Sequence, residues 1–309
     1  MIRRYGLEGT GSIVPMMTFT PYVGLTSPIP LLVALLLRRW AVAAAGLVVV
    51  LAFAAALLPR ARGDGAAPFA RSDTVEANVM AINVYVGKGD PRTVVDLVRR
   101  HHVDILAVEE LPPAAVKRLD AAGLGRVLRH RQYDPGVGGG SGSGLYSRWP
   151  LQGLAPVDTD PVQGEPRGRV QVPGARPLDV QVIHPVPPIN DAWRRRWSAT
   201  FDALPRPDAP GRRGLRVLAG DFNATLDHAA LRRLLSGGRG YADAADAVGK
   251  GYDTTWPAGR RFPPEITIDH VLVAPEIGVD DLSVHTVPRS DHRAVIATLR
   301  VPRDDAGTS

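Results

Sequence analysis

Two hydrophobic patterns divide the chain. In the first sixty residues apolar positions run on without a period. No Asp, Glu, Lys or Arg occurs from 9 to 37, and after Arg38, Arg39 and Trp40 residues 41–58 are again uncharged and almost wholly aliphatic. At ~1.5 Å per residue the second stretch reaches ~27 Å, about one hydrocarbon core. Pro15, Pro21, Pro28 and Pro30 interrupt the first stretch. A membrane anchor over 1–59 is expected, with hydrophobic segments at about 13–37 and 41–58. A signal peptide fits less well, because the second stretch ends far along the chain and Leu57-Leu58-Pro59-Arg60 is a poor cleavage site. Basic residues flank every segment, but the Arg38-Arg39 turn is pinned between the two. Keeping it in the cytoplasm puts the rest of the chain on the extracytoplasmic side of the cell membrane.

Beyond residue 60 the pattern changes. Residues 60–73 are rich in Pro, Gly, Ala and Arg without a period and read as a linker. Strand and helix signals then alternate. Runs at 75–84, 104–108, 144–147, 178–184, 215–220, 266–273, 282–287 and 294–301 read as strands. Asp90-Pro91 opens a helix to about 101, with Val94, Val95, Leu97 and Val98 on its apolar face. Further helices are expected at about 112–122, 190–204 and 225–235. This is an α/β pattern over 74–301, with 302–309 as a tail. The glycine-rich run 136–144 reads as an exposed loop and lacks the ending of a phosphate-binding P-loop.

Composition narrows the chemistry. The 309 residues contain no Cys, which excludes a disulfide scaffold, a thiolate zinc site and a cysteine nucleophile. The net charge of +6 would fit nucleic-acid binding if it lay on the folded part. It does not. Arg3, Arg4, Arg38, Arg39, Arg60 and Arg62 stand against Glu8 alone in 1–63, so the rest of the chain is nearly balanced. The basicity is mostly a membrane signal.

The candidate chemistry sits where apolar strands end. Ala81-Ile82 runs into Asn83, Ala107-Val108 into Glu109 and Glu110, Val182-Ile183 into His184, and Ala219-Gly220 into Asp221, Phe222 and Asn223. Asp269-His270 and Ser290-Asp291-His292 stand on the last strands. If these ends converge, Glu110, Asp221, Asp269 and Asp291 share a site and repel one another unless a cation is present. Oxygen donors with amides nearby suit Mg²⁺ or Mn²⁺ rather than zinc. A hard cation beside imidazoles is what phosphate ester cleavage needs.

Taken in order, Asn83, DILAVEE at 104–110, GLYSRWP at 144–150, His184, GDFN at 220–223, IDH at 268–270 and SDH at 290–292 resemble the endonuclease/exonuclease/phosphatase superfamily. That superfamily includes pancreatic deoxyribonuclease, apurinic/apyrimidinic endonucleases, neutral sphingomyelinases and inositol-polyphosphate phosphatases. The resemblance covers roughly 74–301. It implies a four-layered α/β sandwich of two packed, mainly antiparallel sheets flanked by helices, here preceded by N-terminal transmembrane helices, as in membrane-anchored bacterial members. It implies Glu110 as principal metal ligand with Asn83 close to it and Asp291 on the metal side. Asp221 and Asn223 would position and activate water and bind phosphate. His184 would serve the phosphate as donor or acid, and Asp269 would orient His292 as acid/base. Either Asp221 or His292 would take the water proton. The implied partners are a phosphate-ester substrate (nucleic acid, phospholipid headgroup or small phosphoester) and the lipid bilayer, with no obligate protein partner. An inactive binding domain on the same fold would be expected to lack one of Glu110, Asp221, Asn223, Asp269 or His292; all are present.

Some residues stand apart from that pattern. Glu109 replaces the Gln common before the family's Glu and adds a negative charge. His270 is expected to pack or support rather than react. Trp193, Trp197 and Phe201, at i, i+4 and i+8, are expected to pack one helical face into the core, with Arg194, Arg195 and Arg196 solvated beside them. Trp256 is a candidate for the site rim.

Overall fold

The computed structural model describes residues 13–63, 69–136, 138–155, 157, 163–207, 214–236, 240–260 and 264–304. Residues 1–12 of the expected anchor, 64–68 of the expected linker, Val137 and 305–309 of the tail lie outside them. The helices are α1 (Ile13–Met17), α2 (Thr20–Thr26), α3 (Pro28–Leu36), α4 (Trp40–Leu57), α5 (Pro91–Arg100), α6 (Pro113–Ala122), α7 (Leu124–Val127), α8 (Asp191–Ala203), α9 (Ala229–Leu235) and α10 (Ala244–Ala247). The strands are β1 (Thr74–Asn83), β2 (Ile105–Glu109), β3 (His130–Asp134), β4 (Ser143–Ser147), β5 (Leu151–Gly153), β6 (Arg167–Val170), β7 (Leu178–Ile183), β8 (Leu215–Asp221), β9 (Ala242–Asp243), β10 (Asp269–Val273), β11 (Gly278–Thr286) and β12 (Arg293–Pro302).

Two six-stranded sheets form, in the orders β11-β12-β1-β2-β4-β3 and β5-β6-β7-β8-β10-β9. Pairing is antiparallel except for β1 with β2 and β7 with β8. The period of two along each strand explains the layering. In β1, Val79 and Ala81 face inward and pack with Val180, Val182, Val217 and Ala219 of the other sheet. Met80 and Ile82 face outward and pack on α5 and α6 through Val94, Val98 and Leu119. On the far side Ile183, Leu218 and Leu272 pack on α8 and α9 through Trp197, Phe201 and Leu231. Four layers result, as expected. Asp90 caps α5 by accepting from the Thr93 N–H at 2.8 Å, with Pro91 at the first helical position.

The N-terminal segment departs from expectation. The stretch 13–37 is not one helix. Prolines divide it into α1, α2 and α3, and Val14 of α1 is buried against Trp197 and Phe201 of the sandwich. Among the described residues only 40–61 is long and apolar enough to cross a membrane, with a mean hydropathy of 2.7. The α2–α3 and α4 segments lie side by side. A Cβ on Gly46 would come 3.3 Å from Leu31, and one on Gly24 would meet Phe53 and Leu57. Arg38 and Arg39 therefore stand at one end of a helical hairpin, and Tyr22 and Leu57 at the other. That second end is fastened to the sandwich. The Tyr252 hydroxyl donates to the Leu57 carbonyl at 2.7 Å, and the Tyr22 hydroxyl to the Glu265 carbonyl at 2.5 Å. Arg60, read as the start of a linker, is instead buried, and donates to both oxygens of Asp227 at 2.9 and 2.7 Å.

Candidate active site

The register of the strands builds the site. β1, β2, β7 and β8 end at one edge of the sandwich, and the antiparallel β10 and β12 begin there. Asn83 pairs with Glu109, Ile183 with Gly220, and Asp221 directly faces Asp269. Gly220 is required at this crossing. Its φ is +145°, and a Cβ would lie 2.2 Å from the Ile183 carbonyl oxygen and 2.9 Å from Glu109 Oε1.

At the floor the side chains are close and buried. Both oxygens of Asp269 contact His292 Nδ1, at 3.0 and 3.1 Å, and His292 Nε2 stands 3.7 Å from Asp221 Oδ2. Thr255, fully buried, accepts from the backbone N–H groups of Ile268 and Asp269 and so fixes the start of β10. Asp221 Oδ1 accepts the Asn223 N–H at 2.8 Å, and the Asn223 amide donates to the Pro185 carbonyl at 3.0 Å. Asn83 spans two carboxylates. Its amide nitrogen donates to Glu110 Oε1 at 3.1 Å and to Asp221 Oδ2 at 3.2 Å, while its oxygen accepts the Tyr85 N–H. Asn83 thus meets its neighbours as a donor, and its oxygen is already engaged. Glu110 Oε2 accepts the Val86 N–H at 2.7 Å. His184 Nε2 lies 3.9 Å from Glu110, and its own N–H is held by Glu165 at 2.8 Å. The Ser290 hydroxyl donates to the Asn83 carbonyl and accepts the His292 N–H, which ties the loop before β12 to the end of β1. Glu110 and Asn223 both have positive φ, at 51° and 47°. Non-glycine residues held in that region mark a backbone that the surrounding contacts over-determine.

These residues open into one cavity of about 760 Å³, lined by Glu110, His184, Asp221, Asn223, Asp291 and His292 among others. Residues 80–292 match the model of the Endonuclease/Exonuclease/phosphatase family. The chain belongs to that family. Among solved structures, the protein of this family from Beutenbergia cavernae is 18% identical, covers 74% of this chain and 72% of its own, and superposes with a TM-score of 0.54. D. rerio TDP2 in complex with single strand DNA product is 16% identical, covers 72% of this chain and 98% of its own, with a TM-score of 0.56. A humanized D. rerio TDP2 with 14 mutations gives 16%, the same two coverages and 0.57. At such identities the likeness extends to the fold. No curated protein sequence matches the chain.

Electrostatics divide the family site into parts. Burial disfavours the His292 cation, but the Asp269 and Asp221 carboxylates outweigh it and push the imidazole up to about 10. Burial also pushes Asp221 up, to about 7, against the pull of the His292 charge. These groups titrate as a set. His184 is pushed down to about 4 by burial, with the His292 charge adding to it, so its ring is neutral and offers one N–H. Glu109 is fully buried and raised well above the usual carboxylate range, by burial first and then by Asp269 and Asp221.

All the sequence-derived site residues, Asn83, Glu110, His184, Asp221, Asn223, Asp269, Asp291 and His292, come together at this edge. Trp256 reaches the rim, its indole N–H donating to Asp291 Oδ2 at 3.3 Å. His270 supports the floor. Its Nδ1 pairs with Asp243 at 2.7 Å and its Nε2 with the Ala224 carbonyl at 2.9 Å. Two expectations are corrected. Trp197 and Phe201 are buried, but Trp193 is 37% exposed and lines the cavity with Arg196. The glycine-rich run is not merely an exposed loop: Ser141 and Ser143 are buried, and a Cβ on Gly140 would lie 3.4 Å from the Glu110 carboxyl carbon. The sequence reading missed His228, which lines the cavity and accepts the Thr225 N–H at Nδ1. Its place five residues after Asn223 is the one signal that would have found it. It also missed Phe19 and Pro15, which the N-terminal segment brings to the cavity.

Proposed function

We propose that the chain is a membrane-anchored, divalent-metal-dependent phosphoesterase that cleaves a phosphate ester by attack of water. The observation that carries this reading is the buried line Asp269–His292–Asp221 at the floor of the cavity that also holds Glu110. It is supported by membership of a family whose fold includes metal-dependent phosphoesterases.

The donor chemistry fits a hard cation. Glu110 keeps its carboxylate at the cavity wall, 18% exposed. Asp291 Oδ1 is buried without a hydrogen-bond partner. Glu110 and Asp291, with Asn83 steadying Glu110, would hold Mg²⁺ or Mn²⁺, which when bound neutralises charge on the phosphoryl group. Asp221, Asp269 and His292 also offer ligand atoms within 4.8 Å of one another. We assign that trio to proton handling instead, because Asp269 occupies His292 Nδ1. Asp221, raised toward neutrality, takes the proton of the attacking water. His292, held as a cation by Asp269, directs Nε2–H at a phosphoryl oxygen. Asn223 and the neutral His184 add donors there. The water oxygen forms a new bond to phosphorus, the bond to one alcohol breaks, the departing alkoxide takes a proton from solvent water, and Asp221 returns the proton it took to solvent.

The hairpin tip with Arg38 and Arg39 faces the cytoplasm, and the sandwich lies on the other side of the cell membrane. A reporter fused after Ser309 that works only in the cytoplasm would overturn this orientation. For the chemistry, the full chain purified in detergent is assayed on bis(p-nitrophenyl) phosphate. EDTA stops turnover and Mg²⁺ or Mn²⁺ restores it; turnover indifferent to EDTA contradicts the assignment.

A further inference from the structure

The mouth of the catalytic cavity has the wrong surface for a polyanion. Among the described residues that line it, Arg196 is the only Lys or Arg. A nucleic-acid backbone is held by several cations tracking its phosphates. Here much of the wall beyond the reacting groups is apolar, with Val186, Pro187, Pro188, Ile189 and Trp193 joined by Pro15 and Phe19. Ile189 is 67% exposed and Trp193 37%, so this surface continues outward as an apolar lip.

Pro15 and Phe19 of that lip come from the N-terminal segment. Phe19 is followed directly by α2, and Arg60 at the end of the α4 segment is locked to Asp227, four residues beyond Asn223. A second cavity of about 450 Å³ lies between the base of the hairpin and the sandwich, walled by Leu25, Val50, Phe53 and Leu57. Thr18 and Ile266 line both cavities. The two cavities therefore share a wall, and the one beside the helices adjoins the one that holds the catalytic floor.

We infer that the substrate is a phosphoester carried by a lipid of the same bilayer that holds the hairpin. The headgroup phosphate reaches Asp221 and His292, and the acyl chains stay against Phe19, Ile189 and Trp193. This rests on the phosphoesterase reading and on α4 lying in the bilayer. Hydrolysis is then interfacial: water adds to the lipid phosphorus, and one P–O bond to an alcohol breaks. The rigid joint at Arg60 and Asp227 sets the height of the site above the membrane, which a free linker would leave undefined.

The full chain is reconstituted in vesicles of phosphatidylethanolamine and phosphatidylglycerol with Mg²⁺. Release of phosphate-bearing or alcohol product is compared with hydrolysis of bis(p-nitrophenyl) phosphate and of a single-stranded oligonucleotide. Vesicle lipid is expected to turn over about tenfold faster than the oligonucleotide. Ile189→Asp and Phe19→Asp are each expected to lower the ratio of vesicle to soluble-diester turnover about tenfold, because a charge is put where acyl chains would lie. Ile189 is exposed, so its variant folds even if the Phe19 variant does not. Preference for the oligonucleotide, or an unchanged ratio in the Ile189 variant, overturns the inference. Hydrolysis of the soluble diester without vesicle lipid overturns it and leaves the phosphoesterase reading standing; hydrolysis of none of the three overturns both.

Discussion

Asp269 holds His292 with both of its oxygens, at 3.0 and 3.1 Å from Nδ1, and in doing so leaves Nε2 as the nitrogen that meets Asp221 and the cavity. One carboxylate thereby sets the ring's orientation and its charge. Asp269→Asn keeps the shape and removes the charge. Turnover is expected to fall about ten-thousandfold, as when the orienting acid of a catalytic triad is neutralised. Because Asp269 raises His292, its loss lowers the imidazole pKa, so the alkaline limb of the pH–rate profile moves to lower pH. A profile that keeps its alkaline limb in place contradicts this role.

The pair His270–Asp243 is structural and has its own pH signature. Burial disfavours the His270 cation, but Asp243 and the Ala224 carbonyl raise its pKa above that of a free histidine. A raised folded pKa means that the contribution is complete below the unfolded value of about 6.5 and is lost as pH rises through the folded one. His270→Ala leaves Asp243 buried and unpaired, and is expected to cost about 3–5 kcal/mol. Urea unfolding from pH 6 upward checks both points: the gap between wild type and variant narrows with rising pH. A constant gap would sink the ion-pair account.

Arg60 and Asp227 join the N-terminal hairpin to the sandwich with both side chains almost fully buried. Removing either partner breaks a buried ion pair, so Arg60→Ala and Asp227→Ala are each expected to destabilise by about 3–5 kcal/mol. The double variant is expected to lose clearly less than the sum of the two. Additive losses, measured by denaturant unfolding in detergent, would mean that the two residues do not act as a pair.

What the sequence discloses here follows from where its signals come from. Asn83, Glu110, His184 and Asp221 are legible because each stops an apolar run, and a polar group at a buried strand end needs a purpose. Long strands such as β1 and β12 are legible for the same reason. β3 is not, since HRQYD at 130–134 carries no apolar alternation, and β5, β6 and β9 are too short to show one. A helical period fixes that Trp193, Trp197 and Phe201 share a face; it does not say where along the helix the core stops, and Trp193 lies beyond it. The glycine run reads as featureless because its contribution is backbone, with Gly140 laid against the Glu110 carboxylate. Val14 reads as membrane because apolarity alone does not distinguish a bilayer from a protein core.

The proposed chemistry requires that His292 and Asp221 act on a phosphate ester held at this floor. The most direct measurement is turnover of bis(p-nitrophenyl) phosphate with Mg²⁺ by the wild-type chain and by His292→Ala, purified side by side and matched for secondary structure by circular dichroism. Hydrolysis by the wild type is expected, with a loss of at least about a hundredfold in the variant, the usual worth of a positioned acid–base group. Near-equal hydrolysis by the two proteins, both folded, would contradict it.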